Sequence, residues 1–320
     1  MLCGLAGLIP AGPVSVLVDG SSAQPAALAA RLAATLTASG RPCARLPGLD
    51  DADSSGDAVE GAVRLAGGPR WRGARTWDVM IWVRAGRDPD GAGENGADIV
   101  IDLYDRDWPV IRRVAASLAS GGSWYLTETR AFFSPRAATW DTKFGDDMPA
   151  YAAAVARAGI RRGGVVIDVG CGTGRALPAL RQAVGSHGAV IAADLTPARL
   201  ATARPQATAA RAALVLADAR TLPFADASAD ALFAAGLINH LPDPEAGLGE
   251  LARVTRAGGL LVLFHPSGRA ALAARHGRTL TPDEPLSGGP LTRLTLATGW
   301  QLTAYDDAAD HFFALASRTA

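Results

Sequence analysis

The stretch VVIDVGCGTGRA, residues 165–176, decides how the second half of this chain is interpreted. An apolar run ends in Asp168, and glycines follow at alternate positions, Gly170, Gly172 and Gly174. A strand that feeds a helix leaves unpaired N–H groups at the helix start. Glycines let a ligand approach such a backbone closely. The stretch therefore predicts a strand, a glycine turn and a helix that bind a ligand.

The spacing of the acids around this turn indicates the kind of ligand. Dinucleotide sites use G-x-G-x-x-G, with a pyrophosphate on the helix N-terminus, whereas this turn reads G-x-G-x-G. A carboxylate at Asp168 repels phosphate and suits an ammonium group. Asp194 ends the next strand and suits the hydroxyls of a ribose, and Asp218 ends the third and suits an adenine amino group. S-adenosylmethionine has an ammonium, a ribose and a base without phosphate.

Each of these residues also has a purely structural interpretation, which the sequence leaves open. The glycines can form only a tight turn. Asp194 can cap the helix that begins at Thr196 and Pro197. Asp218 can be a solvated loop acid.

Residues 126–320 resemble class I S-adenosylmethionine-dependent methyltransferases, of the group similar to ubiquinone and menaquinone biosynthesis methyltransferases. The pieces that carry the resemblance are FFSPRAATWD, VVIDVGCGTGRALPAL, VIAADLTPARLATA and the long stretch from LVLADARTLPF to GGLLVLF. The resemblance implies a Rossmann-like α/β fold whose seven-stranded sheet has an antiparallel last strand. It implies S-adenosylmethionine as cofactor and assigns cofactor contacts to Asp168, Gly170, Cys171, Gly172, Gly174, Asp194, Leu195, Asp218, Ala219, Gly236 and Leu237.

The catalytic groups are harder to identify, because the sulfonium is already reactive and the protein mainly aligns the reactants. His240, in GLINHLPD, follows the fourth strand and is the first candidate for a general base. His265, in FHPSGR, follows the fifth strand and is the second. Trp140, Asp141 and Tyr151 lie in a lead-in that folds over the cofactor in this family. For all five, packing or capping is the alternative role.

The first part of the chain contains a second glycine turn. VSVLVDGSSAQPAALAARLAATL, residues 14–36, and the later WDVMIWVR and GADIVIDLYD resemble a P-loop kinase of the uridine kinase group. A working loop reads G-x-x-x-x-G-K-[ST]. Here the second glycine, the lysine and the magnesium-binding hydroxyl are missing, and Pro25 removes a backbone N–H group. We therefore expect residues 1–125 to be a degenerate, non-catalytic P-loop-like α/β domain that serves as a homodimer interface or a cover.

The elements are predicted from apolar periodicity and from glycine and proline positions. In the first domain we expect strands at 14–20, 77–84 and 97–105, and helices at 25–39 and 109–120. We also expect a long loop at 48–75 and a flexible stretch at 85–96. In the second we expect helices near 149–158 and 268–275, strands at 165–169, 189–194, 213–217, 230–235 and 259–264, and two closing strands.

Composition limits the partners. The 31 basic and 31 acidic side chains balance, which gives no argument for nucleic acid or an anionic membrane. The three cysteines have no metal or disulfide spacing and suit a reducing cytoplasm. The first 18 residues are apolar but lack a basic start and contain Pro10 and Pro13, so we expect neither a signal peptide nor a membrane helix.

Three function classes follow from these observations. The first is methyl transfer to a small molecule, such as a secondary metabolite or a quinone-like aromatic. The second is a non-methylating role of the same fold, such as a cyclase or a regulator. The third is a scaffold protein whose N-terminal domain binds a partner. Binding of the cofactor separates the first two from the third, and methyl transfer separates the first from the second. No metal is expected.

Overall fold

The structure is a computed structural model that describes residues 1–20, 24–46, 61–73, 75–84, 96–102, 110–119, 123–144, 147–275, 280 and 282–319. The chain divides into two compact units, Met1–Glu128 with Ala274–Thr279, and Thr129–Ala273 with Leu280–Ala320. Within the described residues, no helix combines the length and the apolar character needed to cross a membrane.

The first unit contains a mainly parallel sheet. Its elements are α1 (Leu2–Leu8), β1 (Ser15–Gly20), α2 (Gln24–Ala38), β2 (Cys43–Arg45), β3 (Val63–Gly67), β4 (Val79–Arg84), β5 (Ile99–Asp102) and β6 (Val110–Val114). The strand order is β2-β3-β1-β4-β5-β6, and only β6 runs antiparallel to its neighbour. All six residues of β1 are buried, and α2 buries Leu28, Leu32 and Leu36 on one face, as their spacing predicts.

Two predictions for the first unit are wrong. The predicted loop 48–75 contains β3, which pairs with both β2 and β1. Its short apolar run between glycines was too brief to distinguish from a loop. The predicted helix 109–120 begins instead with the strand β6, which pairs with β5. The predicted flexible stretch 85–96 lies, except for Gly96, outside the described residues.

A helix, α3 (Ser123–Phe133), contains the boundary between the units. The second unit continues with α4 (Trp140–Phe144), α5 (Met148–Ala158), β7 (Val165–Val169), α6 (Leu177–Val184), β8 (Ala189–Asp194), α7 (Pro197–Ala209), β9 (Ala213–Leu216), β10 (Ala229–Ala235), α8 (Pro244–Val254), β11 (Thr255–His265), α9 (Arg269–Arg275), α10 (Gly288–Ala297), β12 (Trp300–Asp307) and β13 (Phe312–Arg318). Of the helices α3 to α10, α3, α4 and α10 were not predicted from the sequence.

The second sheet is Rossmann-like. Its order is β12-β13-β11-β10-β7-β8-β9, and β13 runs antiparallel to both of its neighbours. This arrangement confirms the predicted seven-stranded sheet with an antiparallel last strand. The chain leaves β7 toward β8 and β9 and then returns to β10 on the other side of β7. In such sheets the switch point between the two directions forms a crevice at the carboxyl ends of the strands.

Arg181 connects the ends of two helices in the second unit. Its guanidinium donates to the carbonyl oxygens of Ala210, Gly185, Gly188 and Arg211, at 2.7, 2.8, 2.8 and 3.1 Å. These oxygens follow the last turns of α6 and α7, where backbone carbonyls have no partner within the helix.

We predict that Arg181→Met lowers the stability of the second unit by about 2 kcal/mol, because the apolar stem remains while the carbonyl contacts are lost. In differential scanning calorimetry this corresponds to a Tm lower by about 4–8 °C. Arg204→Met, on the exposed side of α7, is the matched control. Equal Tm values for the two variants would contradict the prediction.

Candidate active site

The glycine loop between β7 and α6 has a backbone conformation and close neighbours that disfavour any residue other than glycine. Gly170, Gly172 and Gly174 have φ values of 73°, 56° and 86°, in the left-handed region that favours glycine. A Cβ atom on Gly170 would lie 3.2 Å from Cδ1 of Leu237, and one on Gly172 would lie 2.7 Å from an Arg199 nitrogen. The turn itself therefore requires glycine, whether or not a ligand is bound.

Asp194 joins the glycine loop to the start of α7. It is 7% exposed, and its carboxylate accepts the N–H groups of Gly172 at 3.0 Å and Thr196 at 2.8 Å. The N-cap residue of α7 is Thr196, so Asp194 holds the capping residue and does not itself cap the helix, contrary to the structural interpretation. Each carboxylate oxygen has further lone pairs for a hydroxyl donor, so the two roles are compatible.

Asp168 lies on the neighbouring strand and is 2% exposed. Burial, and then the charge of Asp194, raise the pKa of Asp168 to about 8. Two carboxylates buried on adjacent strands repel each other when both are ionised, so one of them tends to stay protonated. A cation near both of them favours the doubly ionised state instead. Burial also raises the pKa of the neighbouring Cys171 thiol, which suits a packing role.

The remaining predicted cofactor contacts lie near the same edge of the sheet. The Asp218 carboxylate is already engaged by Arg220, whose Nε and Nη2 donate to Oδ2 at 3.0 and 2.7 Å, and the next residue, Ala219, is buried. The carbonyl of Leu195 accepts from Nε of Arg130 at 3.0 Å. Gly236 directly precedes Leu237, the residue that packs on the glycine loop.

The lead-in packs onto the glycine loop. We call its described residues 129–144 and 147 the lid. Asp141 accepts from Thr173 Oγ1 at 2.7 Å and from Arg175 Nε at 2.9 Å, and Asp147 also pairs with Arg175. The ring of Trp140 lies 4.3 Å from the guanidinium carbon of Arg199. Two predicted lid residues, Trp140 and Asp141, thus contact elements of the glycine-loop region.

Tyr151 belongs to the core rather than to the lid. Its ring packs against Phe264 and Phe233, with centroids 5.0 and 6.2 Å away. Burial, followed by the charges of Asp147 and Asp168, raises the pKa of Tyr151. A phenol in this setting stays protonated at neutral pH.

A shallow recess, open to solvent, lies at the carboxyl ends of β10 and β11. Most of its wall is apolar, and a few polar side chains interrupt it. Its lining residues include Leu237, Leu263, Phe264, Leu272, Leu286 and Phe312, together with Asn239, His265, Ser267 and Arg269.

The two candidate histidines occupy different surroundings. His265 is in the wall of the recess, 3.7 Å from the position of a Cβ on Gly236. Its Nδ1 lies 3.0 Å from the carbonyl oxygen of Ser267. Because a carbonyl can only accept, Nδ1 carries the proton and Nε2 is the basic nitrogen of the neutral ring. The ring of His240 packs edge-on against Phe133 of the lid, at 5.1 Å.

Sequence reasoning missed the arginines of this region. Arg175, directly after the glycines, binds two lid carboxylates, and Arg269 lines the recess and pairs with Glu284 and Asp307. Arg199 precedes the buried residues Ala203 and Ala207 at helical spacing. That spacing puts a charge on the buried face of α7, a signal that was readable in the sequence.

Comparison with known proteins supports the interpretation of this edge of the sheet. A family model for a methyltransferase domain matches residues 167–263. The O-methyltransferase rstn1 of Aspergillus nomiae is 32% identical over 157 residues, which cover 47% of this chain and 69% of that protein.

Two further relatives match a shorter part. A phosphatidylethanolamine N-methyltransferase of Cereibacter sphaeroides is 36% identical over 112 residues, covering 34% of this chain and 53% of its own length. A demethylmenaquinone methyltransferase of Staphylococcus aureus is 36% identical over 110 residues, which cover 34% of this chain and 46% of that protein. The chain thus spans about half the length of these two relatives. The match to the Aspergillus protein and the topology of the second sheet show that the chain belongs to the class I S-adenosylmethionine-dependent methyltransferases.

Proposed function

We propose that this protein transfers the methyl group of S-adenosylmethionine to a small molecule with an apolar body. The observation that carries the proposal is the arrangement along one sheet edge: buried Asp168 and Asp194 beside a glycine loop, and an apolar recess at the ends of the next two strands, β10 and β11. The cofactor supplies an electrophilic methyl group on its sulfonium. The protein's own residues have to bind, orient and exclude water.

Cofactor binding falls to the loop and the two carboxylates in this proposal. Asp168 receives the ammonium group, whose charge favours the ionised carboxylate. Asp194 accepts the ribose hydroxyls with lone pairs that Gly172 and Thr196 leave open. The lid covers the glycine loop through Asp141, which keeps water from the sulfonium side. For Asp218, the ion pair with Arg220 favours a role in fixing the loop over a direct contact with adenine.

The acceptor side is assigned to the recess. Its aliphatic and aromatic wall favours a flat apolar acceptor, and its few polar groups orient a nucleophile. Two relatives, an O-methyltransferase and a demethylmenaquinone methyltransferase, support a hydroxylated aromatic or quinol-like acceptor, such as a secondary metabolite. His265, with Nε2 as its basic nitrogen, is then better situated than His240 to accept the proton of a hydroxyl.

The role of the first unit stays a prediction. The degenerate P-loop interpretation involves residues 21–23, which lie outside the described part of the chain. We propose that residues 1–125 act as an interaction domain, with a second copy of the chain as the partner, and that residues 126–320 form the enzyme in the cytoplasm.

The methyl transfer is tested with the purified full chain, S-adenosylmethionine carrying a deuterated methyl group, and a panel of phenols and quinols. We expect one labelled methyl group on at least one acceptor by mass spectrometry. Asp194→Asn should weaken S-adenosylhomocysteine binding by about ten- to a hundredfold, because a charge-assisted acceptor is lost. Arg204→Met is the control. If calorimetry detects no binding of S-adenosylhomocysteine, the proposal fails; binding without transfer rejects the acceptor class.

Cofactor affinity should depend on pH through Asp168. In the free protein its pKa is about 8, so the carboxyl is mostly protonated at pH 6 and must lose its proton to pair with an ammonium group. Binding therefore releases a proton, and the Kd of S-adenosylhomocysteine should fall by nearly tenfold per pH unit between pH 6 and 7.5. Calorimetry in buffers of different ionisation enthalpy measures this release. Asp168→Asn should remove it, and an unchanged release in that variant would refute the assignment.

The choice between the two histidines is tested on whichever acceptor the panel identifies. We expect His265→Asn to lower kcat by about 10²-fold or more, in the range of a lost general base, with little change in cofactor affinity. His240→Asn should change kcat much less. If His240→Asn has the larger effect, the proton acceptor is His240; if neither variant changes kcat, the acceptor reacts without a histidine base.

A further inference from the structure

Arg199 contacts two aromatic rings of the lid. Its guanidinium carbon is 4.5 Å from the ring centre of Phe133 and 4.3 Å from that of Trp140, and the two ring centres are 5.9 Å apart. The rings therefore lie on adjacent sides of the guanidinium rather than on its opposite faces. They restrict its orientation and leave part of the guanidinium uncovered.

The guanidinium of Arg199 lies against the glycine loop. A Cβ on Gly172 would lie 2.7 Å from Nη2 of Arg199, 3.2 Å from its guanidinium carbon and 3.3 Å from its Nε. Gly172 is the residue whose N–H group donates to Asp194. Arg199 thus faces the glycine loop, to which the proposed function assigns cofactor binding.

The charge of Arg199 is incompletely compensated in the described structure. Its Nε is buried and has no hydrogen-bond partner among the described residues. Burial lowers the pKa of Arg199, and the charge of Asp194 is the largest effect in the opposite direction. A buried cation with an unmade hydrogen bond is costly, and an anion at this position would remove the cost.

The other arginines described around the loop already have partners. Arg175 binds Asp141 and Asp147, and Arg220 binds Asp218. Arg130 is exposed and donates to a backbone carbonyl. S-adenosylmethionine has a single anionic group, the α-carboxylate of its methionine, and the nearby carboxylates Asp168 and Asp194 repel it.

We propose that Arg199 binds the α-carboxylate of the cofactor through its guanidinium N–H groups, while Phe133 and Trp140 pack against it. The proposal rests on the proposed function. It gives the cofactor's amino acid a cation for its carboxylate and Asp168 for its ammonium group. It also makes lid closure and cofactor binding depend on the same side chain.

The test compares two ligands by calorimetry on the full chain. One is S-adenosylhomocysteine, and the other is its decarboxylated analogue, which keeps the amine and lacks the carboxylate. The wild type should bind the first about ten- to a hundredfold more tightly than the second, the range for a hydrogen bond between charged groups. Arg199→Met should remove this preference by weakening only the first ligand, and Arg199→Lys should keep part of it.

Each outcome of this comparison decides the proposal. Arg204→Met, the same change on the exposed side of the same helix, should leave both affinities unaltered. If Arg199→Met weakens both ligands equally, Arg199 acts only in lid packing and the proposal is overturned. The same holds if Arg199→Met binds S-adenosylhomocysteine as tightly as the wild type. If the wild type binds neither ligand, the proposed function itself fails.

Discussion

The side-by-side burial of two carboxylates is the constraint on which the second unit depends. Asp168 and Asp194 end adjacent parallel strands, and each is nearly inaccessible to water. Backbone N–H groups of Gly172 and Thr196 hold Asp194 in place, which in turn fixes the glycine turn and the start of α7. A pair of buried acids is stable only while one is protonated or a cation is near. The charge of Arg199 counteracts the rise in the pKa of Asp194, and in the proposed function the ammonium group of the cofactor does the same for Asp168.

Much of the second unit could be predicted from the sequence, because its signals are local. The apolar run that ends in Asp168 and the three glycines define the strand and the turn without reference to distant residues. The same holds for the regular alternation of strands and helices up to His265. The candidate cofactor contacts followed from the chain offsets between strand ends, since parallel strands bring their carboxyl ends to one edge.

The rest depended on contacts between residues far apart in the chain. Val110, Ile111 and Val114 have a spacing that also suits a helix, and pairing with β5 makes this segment a strand. The ion pair between Arg112 and Asp102 adds to that pairing. The spacing of Arg199 from Ala203 and Ala207 indicates the buried face of α7, but the two aromatic partners of Arg199 come from the lead-in, about 60 residues earlier in the chain. Apolar periodicity contains no information on such pairs.

The lid contacts have a kinetic consequence. Asp141 is held by Thr173 and Arg175, which belong to the loop that faces the cofactor. In the proposed function, the demethylated cofactor leaves only after these hydrogen bonds and the contacts of Arg199 with the lid have opened. Because such an opening limits turnover in many enzymes, we expect the demethylated cofactor to depart last and slowly.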